Sequence, residues 1–310
     1  MPVFQAGMGG GTAGHELAAA VSEAGGLGTI GMLDPDDLRD ELAAARSRTE
    51  RPIAINLLLP FARPGHWEVA GESDVVVTFW GRPERRIAGV WIHQAGSVDE
   101  ALAAHAAGAD AVIAQGIEAG GHVRGTVPAL DLLEQVRKAL PPDYPVLLAG
   151  GIAEATDVRE ALAAGAAGAV AGTRFLLSDE SRAHPEYVSR LLEAMETVLT
   201  ELFGSGWPDA PHRVVPNSAT ERWLRKDPRG PATVRLLNRL STPLLKRLPL
   251  STVHRLAAGQ RPGVPFYGPA SLIEGGDGTL VDAAPLYAGE SVQRVHDVRP
   301  AGELTRELAG

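Results

Sequence analysis

Short apolar segments alternate with alanine-rich amphipathic segments from residue 3 to about residue 200. Eight of the short segments are apolar on both faces, which is typical of strands buried in a parallel sheet. They are Val3–Gly7, Leu27–Met32, Ile53–Pro60, Asp74–Phe79, Val90–Gln94, Ala111–Gly116, Pro145–Gly151 and Ala169–Leu176. Between them the pattern predicts helices at His15–Ala24, Pro35–Arg46, Val98–Ala107, Ala129–Leu140 and Ala155–Ala164. Eight alternating strands favour an α/β fold of the (β/α)8 TIM barrel type, with a doubly wound open sheet as the alternative.

The connections after the third and fourth strands are short for parallel crossovers. Only Trp80–Gly89 separates the fourth strand from the fifth, so we expect an incomplete outer ring of helices on that side. After residue 200 the pattern changes, and Trp207–Gly268 is rich in Pro, Arg and Leu, with short helices predicted at Ala232–Leu240 and Pro243–Leu248. The predicted organisation is a barrel over residues 1–200 and a small, mainly helical C-terminal cap over residues 201–310.

Composition narrows the classes of chemistry. The chain has no cysteine, which removes thiolate mechanisms and Cys-ligated metal sites and fits a reducing, cytoplasmic location. No signal peptide and no apolar run of membrane-spanning length are predicted. The net charge of −9 argues against nucleic-acid binding, and no two histidines have metal-ligand spacing, so we expect no metal. One segment is strongly basic although the whole chain is acidic: Arg222–Arg261 carries ten Lys or Arg residues and one acid, Asp227.

Four glycine-bearing motifs follow predicted strands, at the end of the barrel where such folds carry their chemistry. They are Gly7–Gly11, Gln115–His122, Ala149–Ile152 and Ala171–Phe175. The last two follow the seventh and eighth strands, where barrels commonly bind a phosphate through backbone N–H groups. Glycine allows this because a Cβ would block close approach of the backbone, and Thr173 could add a hydroxyl donor. We therefore predict a phosphate site, with tight turns alone as the alternative.

Six successive segments over roughly residues 3–190 resemble the signature segments of the nitronate monooxygenases, formerly called 2-nitropropane dioxygenases. These segments are VFQAGMGGG, AAAVSEAGGLGTIG, INLLLP, GADAVIAQGIEAGGHVRG, PVLLAGGIA and GAAGAVAGTRFLLSDES. The resemblance implies FMN bound non-covalently at the barrel mouth. It also implies a small nitronate substrate, which FMN and O2 together convert to a carbonyl compound and nitrite.

The resemblance also implies residue roles. Met8 and Asn56 would contact the isoalloxazine or its edge, Gln115 and Gly120 the ring or ribityl chain, and Gly150, Gly151, Gly172 and Thr173 the phosphate. Gly7 belongs to the same cofactor-binding set, although the family pattern has a proline there. This departure touches the pocket rim and therefore bears on the substrate more than on the flavin. Phe79, Trp80, Trp91 and Trp223 are aromatic candidates for the pocket wall, with filling of the core as the alternative.

His122 is the candidate catalytic residue. A histidine titrates near neutrality and can take a proton from a carbon next to an electron-withdrawing group. In the family, a histidine at this position lies beside the flavin and serves as the base or orients an anionic substrate. The alternative for His122 is a purely structural histidine. Of the others, His93 is the second candidate to line the pocket, because with Gln94 it ends the fifth strand.

Several functional alternatives remain open at this level. An FMN-dependent enoyl-acyl-carrier-protein reductase would use NAD(P)H, and its acidic carrier protein could bind the basic segment Arg222–Arg261, which is otherwise a solvated face. A non-catalytic flavin-binding component is the alternative from a different class. IMP dehydrogenase-like chemistry is excluded because it needs a cysteine nucleophile. The C-terminal segment can cover the barrel mouth or mediate contacts in a homodimer, and the sequence does not decide between these.

Overall fold

The computed structural model describes residues 2–83, 87, 89–245, 247–248, 252 and 259–310. Its strands in chain order are β1 Val3–Gln5, β2 Gly28–Ile30, β3 Ile53–Leu58, β4 Val75–Phe79, β5 Val90–Ala95, β6 Ala111–Gln115, β7 Gly121–His122, β8 Val146–Ala149, β9 Gly168–Ala171, β10 Val198–Thr200 and β11 His212–Val214. Eight of them form one parallel sheet in the order β1-β9-β8-β6-β5-β4-β3-β2. A parallel bridge between Phe4 and Leu27 joins its two edges, so the predicted TIM barrel is confirmed.

Alternation along the strands decides which side chains face the barrel interior. One buried cluster takes every second residue of the strands, with members that include Val75, Val77, Ile92, Ala111 and Ile113. Because side chains alternate between the two faces of a strand, the next positions on this inner face are Phe79, Gln94 and Gln115. Asn56 follows Ala54 of the same cluster on β3 in the same way. These four side chains therefore lie at the carboxyl-terminal end of the barrel.

The helices in chain order are α1 His15–Glu23, α2 Pro35–Arg46, α3 Pro64–Ala70, α4 Val98–Ala106, α5 Ala129–Ala139, α6 Ala155–Ala163, α7 Thr173–Leu176, α8 Pro185–Leu192, α9 Ser218–Trp223, α10 Ala232–Leu245 and α11 Ala301–Ala309. The five helices predicted between the strands are present, with their ends within one residue. Local chemistry explains one start: the Ser97 side chain accepts a hydrogen bond from the Glu100 backbone N–H and caps α4.

Three expectations about elements need correction. The predicted strand Ala169–Leu176 is wrong beyond Ala171, because Thr173–Leu176 forms the buried helix α7. The error arose because a short apolar run does not distinguish a strand from a buried helix. The two helices expected at Ala232–Leu240 and Pro243–Leu248 are one helix, α10, with Pro243 near its end, and Lys246 lies outside the described residues.

The outer ring is more complete than the short connections suggest. Helix α3 occupies the connection between β3 and β4, where it buries His66, Val69 and Ala70. No helix was predicted there, because one of only seven residues carries little periodic signal. Between β4 and β5 the described residues 80–83, 87 and 89 contain no helix.

The C-terminal part of the chain packs on the barrel mouth and on the outer ring. Strands β10 and β11 form a three-stranded antiparallel sheet with β7, and Leu202, Phe203, Val214 and Tyr267 form a separate core beside it. Helix α11 packs between α1 and α6 of the outer ring. The division at residue 200 stays a prediction, since these contacts cross it. No helix in the described part of the chain has the length and apolar character needed to cross a membrane.

Candidate active site

One cavity of about 570 Å³ lies at the carboxyl-terminal ends of the barrel strands, a volume typical of sites for small ligands and cofactors. It brings together the ten residues that the resemblance assigns to cofactor binding and catalysis: Gly7, Met8, Asn56, Gln115, Gly120, His122, Gly150, Gly151, Gly172 and Thr173. Their individual roles stay predictions. Phe79 and Gln94 also line the cavity, and the C-terminal segment adds a wall that contains Trp207, Tyr287 and Ser291.

The backbone of His122 is held from two sides. Strand β7 pairs with β11, which places His122 opposite His212. The Gln115 side chain crosses the loop from the other side: its Nε2 donates to the His122 carbonyl at 2.9 Å, and its Oε1 accepts from the Arg124 N–H at 2.9 Å. Gly121 has a φ of +69°, a conformation that favours glycine. Through these two bonds the Gln115 side chain fixes the loop that carries His122. Its Nε2 keeps a second N–H.

The ring of His122 lies in an aromatic corner of the cavity. It stacks on Trp207, with ring centroids 3.8 Å apart and an angle of 19° between the planes, and the ring of Trp80 approaches it edge-on at 5.9 Å. The Nε2 atom is buried and has no hydrogen-bond partner in the described part of the chain. Burial, and secondarily the neighbouring His212, holds the pKa of His122 well below its usual value of 6.5. The imidazole is therefore neutral at pH 7 and able to accept a proton.

The neighbouring His212 is a structural residue. Its Nε2 accepts from the Phe203 N–H at 3.2 Å, so its Nδ1 carries the proton and donates to the Ala210 carbonyl at 2.9 Å. Burial lowers the pKa of His212 to about 4. With both ring nitrogens engaged, His212 has no free site for proton transfer, and His122 is the histidine of this pair that can perform it.

The lowered pKa of His122 predicts the pH profile of the protein's activity. A base works in its unprotonated form, so kcat/KM falls as pH decreases through the lowered pKa of His122. We expect a flat profile from about pH 8 to about pH 6.5 and a decline only at lower pH. Steady-state kinetics with a spectrum at each pH, to verify that the cofactor stays bound, measure this. An inflection at or above pH 6.5 contradicts the assignment.

The two glycine motifs after β8 and β9 present unused backbone donors to the cavity. In the part of the chain that the structure describes, the N–H groups of Gly150, Gly151, Gly172 and Thr173 donate to no protein acceptor. Gly150 and Gly151 have φ values of +122° and +77°, which only glycine adopts readily. The Thr173 Oγ1 accepts from the backbone N–H of Gly289 at 2.9 Å, so its own proton remains available to a ligand. These donors without acceptors fit a phosphate group.

Gly7 is explained by its contact with Asn56. A Cβ at position 7 would lie 2.4 Å from the Asn56 Cβ, closer than carbon atoms approach without a bond. A proline, which the family pattern has here, would meet the same obstruction. The loop after β1 therefore lies directly against Asn56, and both residues line the cavity.

His93 does not line the cavity, although its neighbour Gln94 does. It points to the opposite face of β5, where it is fully buried and its Nδ1 shares a 2.8 Å hydrogen bond with the Thr78 hydroxyl. That hydroxyl also accepts from the Trp91 indole N–H at 2.8 Å. Burial lowers the pKa of His93 to about 4. His93 and Trp91 thus belong to a polar contact in the outer layer, and neither is a pocket residue.

Of the four aromatic residues predicted as candidates for the pocket wall, one lines the cavity. Phe79 lines the cavity, whereas Trp80 supports the corner from behind with a φ of +68°, which is rare for a bulky side chain. The Arg124 guanidinium lies 4.9 Å from the Trp80 ring centroid. Trp223 lies elsewhere, and its indole N–H donates to Pro262 and Tyr267. Trp207 and Tyr287 were missed, because no strand or glycine motif marks either one.

Comparisons of sequence and structure relate the chain to known proteins. The family model described as "Nitronate monooxygenase" matches residues 1–90 and 82–309. The chain belongs to the nitronate monooxygenase family. A relative described as a probable nitronate monooxygenase from Staphylococcus saprophyticus is 32% identical over 252 residues, which are 63% of this chain and 70% of the relative. Members of the family are flavin-dependent oxidoreductases.

Two solved structures share the whole architecture of this nitronate monooxygenase family member. Nitroalkane oxidase from Streptomyces ansochromogenes superimposes with a TM-score of 0.78 at 29% identity and covers 100% of this chain and 94% of its own. FabK from Thermotoga maritima superimposes with a TM-score of 0.76 at 29% identity and covers 99% of this chain and 91% of its own. Among the residues that the structure describes, no group of three or more His, Cys, Asp or Glu side chains is arranged to hold a metal ion.

Proposed function

We propose that this protein binds FMN in the cavity and oxidises alkyl nitronates with O2 to a carbonyl compound and nitrite. One observation carries the proposal: a neutral histidine with an unpartnered buried nitrogen lies in the same cavity as four unused backbone donors. The histidine can exchange a proton with a substrate. The four backbone N–H groups can bind a phosphate.

The chain offers a separate set of groups to each part of FMN. Gly150, Gly151, Gly172 and Thr173 hold the phosphate through backbone N–H groups and the Thr173 hydroxyl. Met8, Asn56, Gln115 and Gly120 line the cavity and would contact the ring and the ribityl chain. Gly7 allows the loop after β1 to lie directly against the Asn56 side chain. When bound, FMN supplies the redox chemistry by accepting electrons from the substrate and passing them to O2.

The protein's own contribution to the reaction is positioning, proton transfer and exclusion of water. Gln115 and the β7–β11 pairing fix the backbone of His122, and the stacked Trp207 limits rotation of its ring. When the substrate arrives as a neutral nitroalkane, the buried Nε2 of His122 takes the proton from the carbon beside the nitro group and so forms the nitronate. A nitronate has already lost that proton, and for it the ring of His122 orients the anion. The apolar wall of Trp207, Tyr287 and Leu245 keeps bulk water away from that nitrogen.

An anaerobic titration of the purified protein, reconstituted with FMN, tests this function. We expect propyl-2-nitronate alone to remove the visible absorbance of the flavin. Admission of O2 should then restore it with release of nitrite and acetone. Rapid loss of absorbance with NADPH but none with the nitronate would favour the enoyl-acyl-carrier-protein reductase alternative. A protein that remains colourless after incubation with FMN would contradict the central proposal.

The basic segment Arg222–Arg261 gives limited support to that alternative. Arg235 pairs with Asp227 at 2.8 Å, and Arg239 pairs with Asp209 at 2.7 Å. Part of the positive charge thus serves contacts within the chain, while Lys246 and Arg255 lie outside the described residues. An acidic carrier protein remains a partner only under the reductase reading.

A further inference from the structure

The indole N–H of Trp207 is a buried donor in the cavity wall without an acceptor. Trp207 is 7% exposed, and its Nε1 has no hydrogen-bond partner among the described residues. An indole nitrogen can only donate, so no alternative protonation state relieves it. Buried polar groups in proteins are nearly always paired, and an unpaired one in a binding cavity points to a ligand atom that completes the pair.

Two other tryptophans of this chain have an acceptor for their indole N–H. Trp91 donates to the Thr78 hydroxyl at 2.8 Å, and Trp223 donates to the Pro262 carbonyl at 2.9 Å. Neither of these two side chains lines the cavity. Trp207, whose side chain does line the cavity, has a buried indole nitrogen and no such acceptor among the described residues.

Trp207 shares its part of the wall with His122. The two rings are stacked with centroids 3.8 Å apart, and the Nε2 of His122 is the second buried nitrogen there without a partner. This small patch of wall therefore offers one obligatory donor beside one group that exchanges protons. A ligand that satisfies both carries an acceptor oxygen next to the atom that reacts with His122.

The loop that carries Trp207 is built to hold it in place. Gly206 and Asp209 have φ values of +85° and +56°, which turn the chain sharply on both sides of Trp207. Arg239 of α10 binds the Asp209 carboxylate with two nitrogens, at 3.0 and 2.7 Å. The Ser205 hydroxyl donates to Asn238 of the same helix at 3.0 Å. Helix α10 thus fixes the Trp207 loop over the cavity.

Aromatic neighbours restrict the indole further. Trp80 meets Trp207 edge-on at 5.0 Å and Phe61 meets it edge-on at 4.9 Å, while His122 covers one face. With rotation limited on three sides, the direction of the N–H is set before a ligand arrives. A donor fixed in this way loses little entropy on binding.

We propose that Trp207 is a substrate-binding residue whose indole N–H donates to an oxygen of the nitro or nitronate group. His122 lies beside the adjacent carbon and takes its proton when the substrate is the neutral nitro compound. The inference rests on the proposed function and names its substrate class more closely. The substrate has an oxygen acceptor bonded to the atom next to the reacting carbon, and an apolar remainder that packs against Phe61 and Leu245. Trp207 is then a specificity-determining residue supplied by the C-terminal segment.

Binding of an unreactive probe tests the contact. 2-Methyl-2-nitropropane carries nitro oxygens but no hydrogen on the carbon beside them, so it binds without reacting. Calorimetry on the FMN-loaded protein should give a dissociation constant about fivefold higher for Trp207→Phe, which keeps a flat ring but removes the N–H. Trp207→His retains a ring N–H and should recover part of the affinity. Trp223→Phe, which removes an indole N–H outside the cavity, should leave it unchanged.

A second readout uses the unaltered protein. In a spectrum of the ¹⁵N-labelled indole groups, the resonance that disappears in Trp207→Phe and Trp207→His should move downfield when the probe is added. Equal affinities of wild type and Trp207→Phe, or no shift of that resonance, would overturn the proposal.

The results separate this inference from the proposed function. Loss of probe affinity in Trp207→Phe together with no nitronate turnover by the wild type would refute the function and keep the contact. Normal turnover with no effect of Trp207→Phe on probe affinity would refute the contact and keep the function. Failure of the wild type to bind the probe refutes the contact directly.

Discussion

Replacing His122 with alanine should lower turnover of a neutral nitroalkane by about 10²-fold or more while FMN remains bound. The neutral substrate still carries the proton that His122 removes, and this is the usual scale of acid–base contributions. The buried Nε2 without a partner is the one group in the aromatic corner that can accept a proton, because both ring nitrogens of His212 are engaged. The phosphate donors lie on other loops and are untouched. Stopped-flow reduction of the flavin by the neutral nitroalkane, with the bound FMN measured by its absorbance, gives both quantities.

Two further variants separate the proton-transfer role from the stacking role. His122→Phe keeps a flat ring against Trp207 but has no ring nitrogen, so it should lose as much turnover as His122→Ala. His105→Ala removes a histidine from the surface of α4, where the ring packs edge-on against Tyr144 at 4.7 Å, and should keep normal turnover. Wild-type turnover in His122→Ala, or recovery of turnover in His122→Phe, would show that His122 is not the base.

The sequence predicts the barrel well because its signal is local. Each barrel strand is a short apolar run, and four of the runs are followed by a glycine motif. Parallel strands bring their carboxyl ends to one edge, so motifs far apart in the chain meet in one cavity. The alternation of side chains along a strand also predicts which face of the sheet each residue lies on. Since Ile92 faces the barrel interior, Gln94 does so too, and His93 between them must face outward.

The remaining part of the site depends on contacts that have no local signal. Strand β7 is two residues long, and it exists because β11, about ninety residues later in the chain, pairs with it. A segment that short has no measurable periodicity. The same long-range packing brings Trp207 and Tyr287 into the wall, so neither could be assigned from the residues around it. The eighth strand was predicted too long, into α7, for the opposite reason. Its apolar run is a strong local signal, but such a run fits a buried helix as well as a strand.

The C-terminal segment also changes how the basic residues are understood. Composition favours a solvated face for this segment, with a docking surface for an acidic carrier protein as the alternative. In the structure, Arg239 of α10 instead anchors the Trp207 loop through Asp209, and Arg235 closes the turn before α10 through Asp227. At least these two charges are used within the chain, and that of Arg239 helps to position the cavity wall. A cluster of charge in the sequence therefore does not by itself indicate an external partner.

A methyl group added to the phosphate cradle should weaken FMN binding strongly. Gly151→Ala places a Cβ on a backbone that must approach the phosphate closely, and loss of one hydrogen bond to a charged group costs about 1.5–3 kcal/mol. We therefore expect the dissociation constant for FMN to rise roughly 10- to 100-fold. Fluorescence titration of the protein stripped of cofactor measures it, since free flavin is more fluorescent than bound flavin in such proteins.

Gly275 supplies a matched control for the backbone strain of that substitution. It has the same φ of +77° as Gly151, and a Cβ there would meet no atom within 4 Å. At Gly151 the nearest atom to an added Cβ is the Glu118 Cγ, at an ordinary contact distance of 3.7 Å. Both alanine variants therefore pay a similar strain of about 1 kcal/mol and should lower the unfolding temperature alike. Only Gly151→Ala should lose FMN. If the two variants bind FMN equally well, the loop after β8 does not hold the phosphate, and the cofactor's position in the barrel has to be assigned anew.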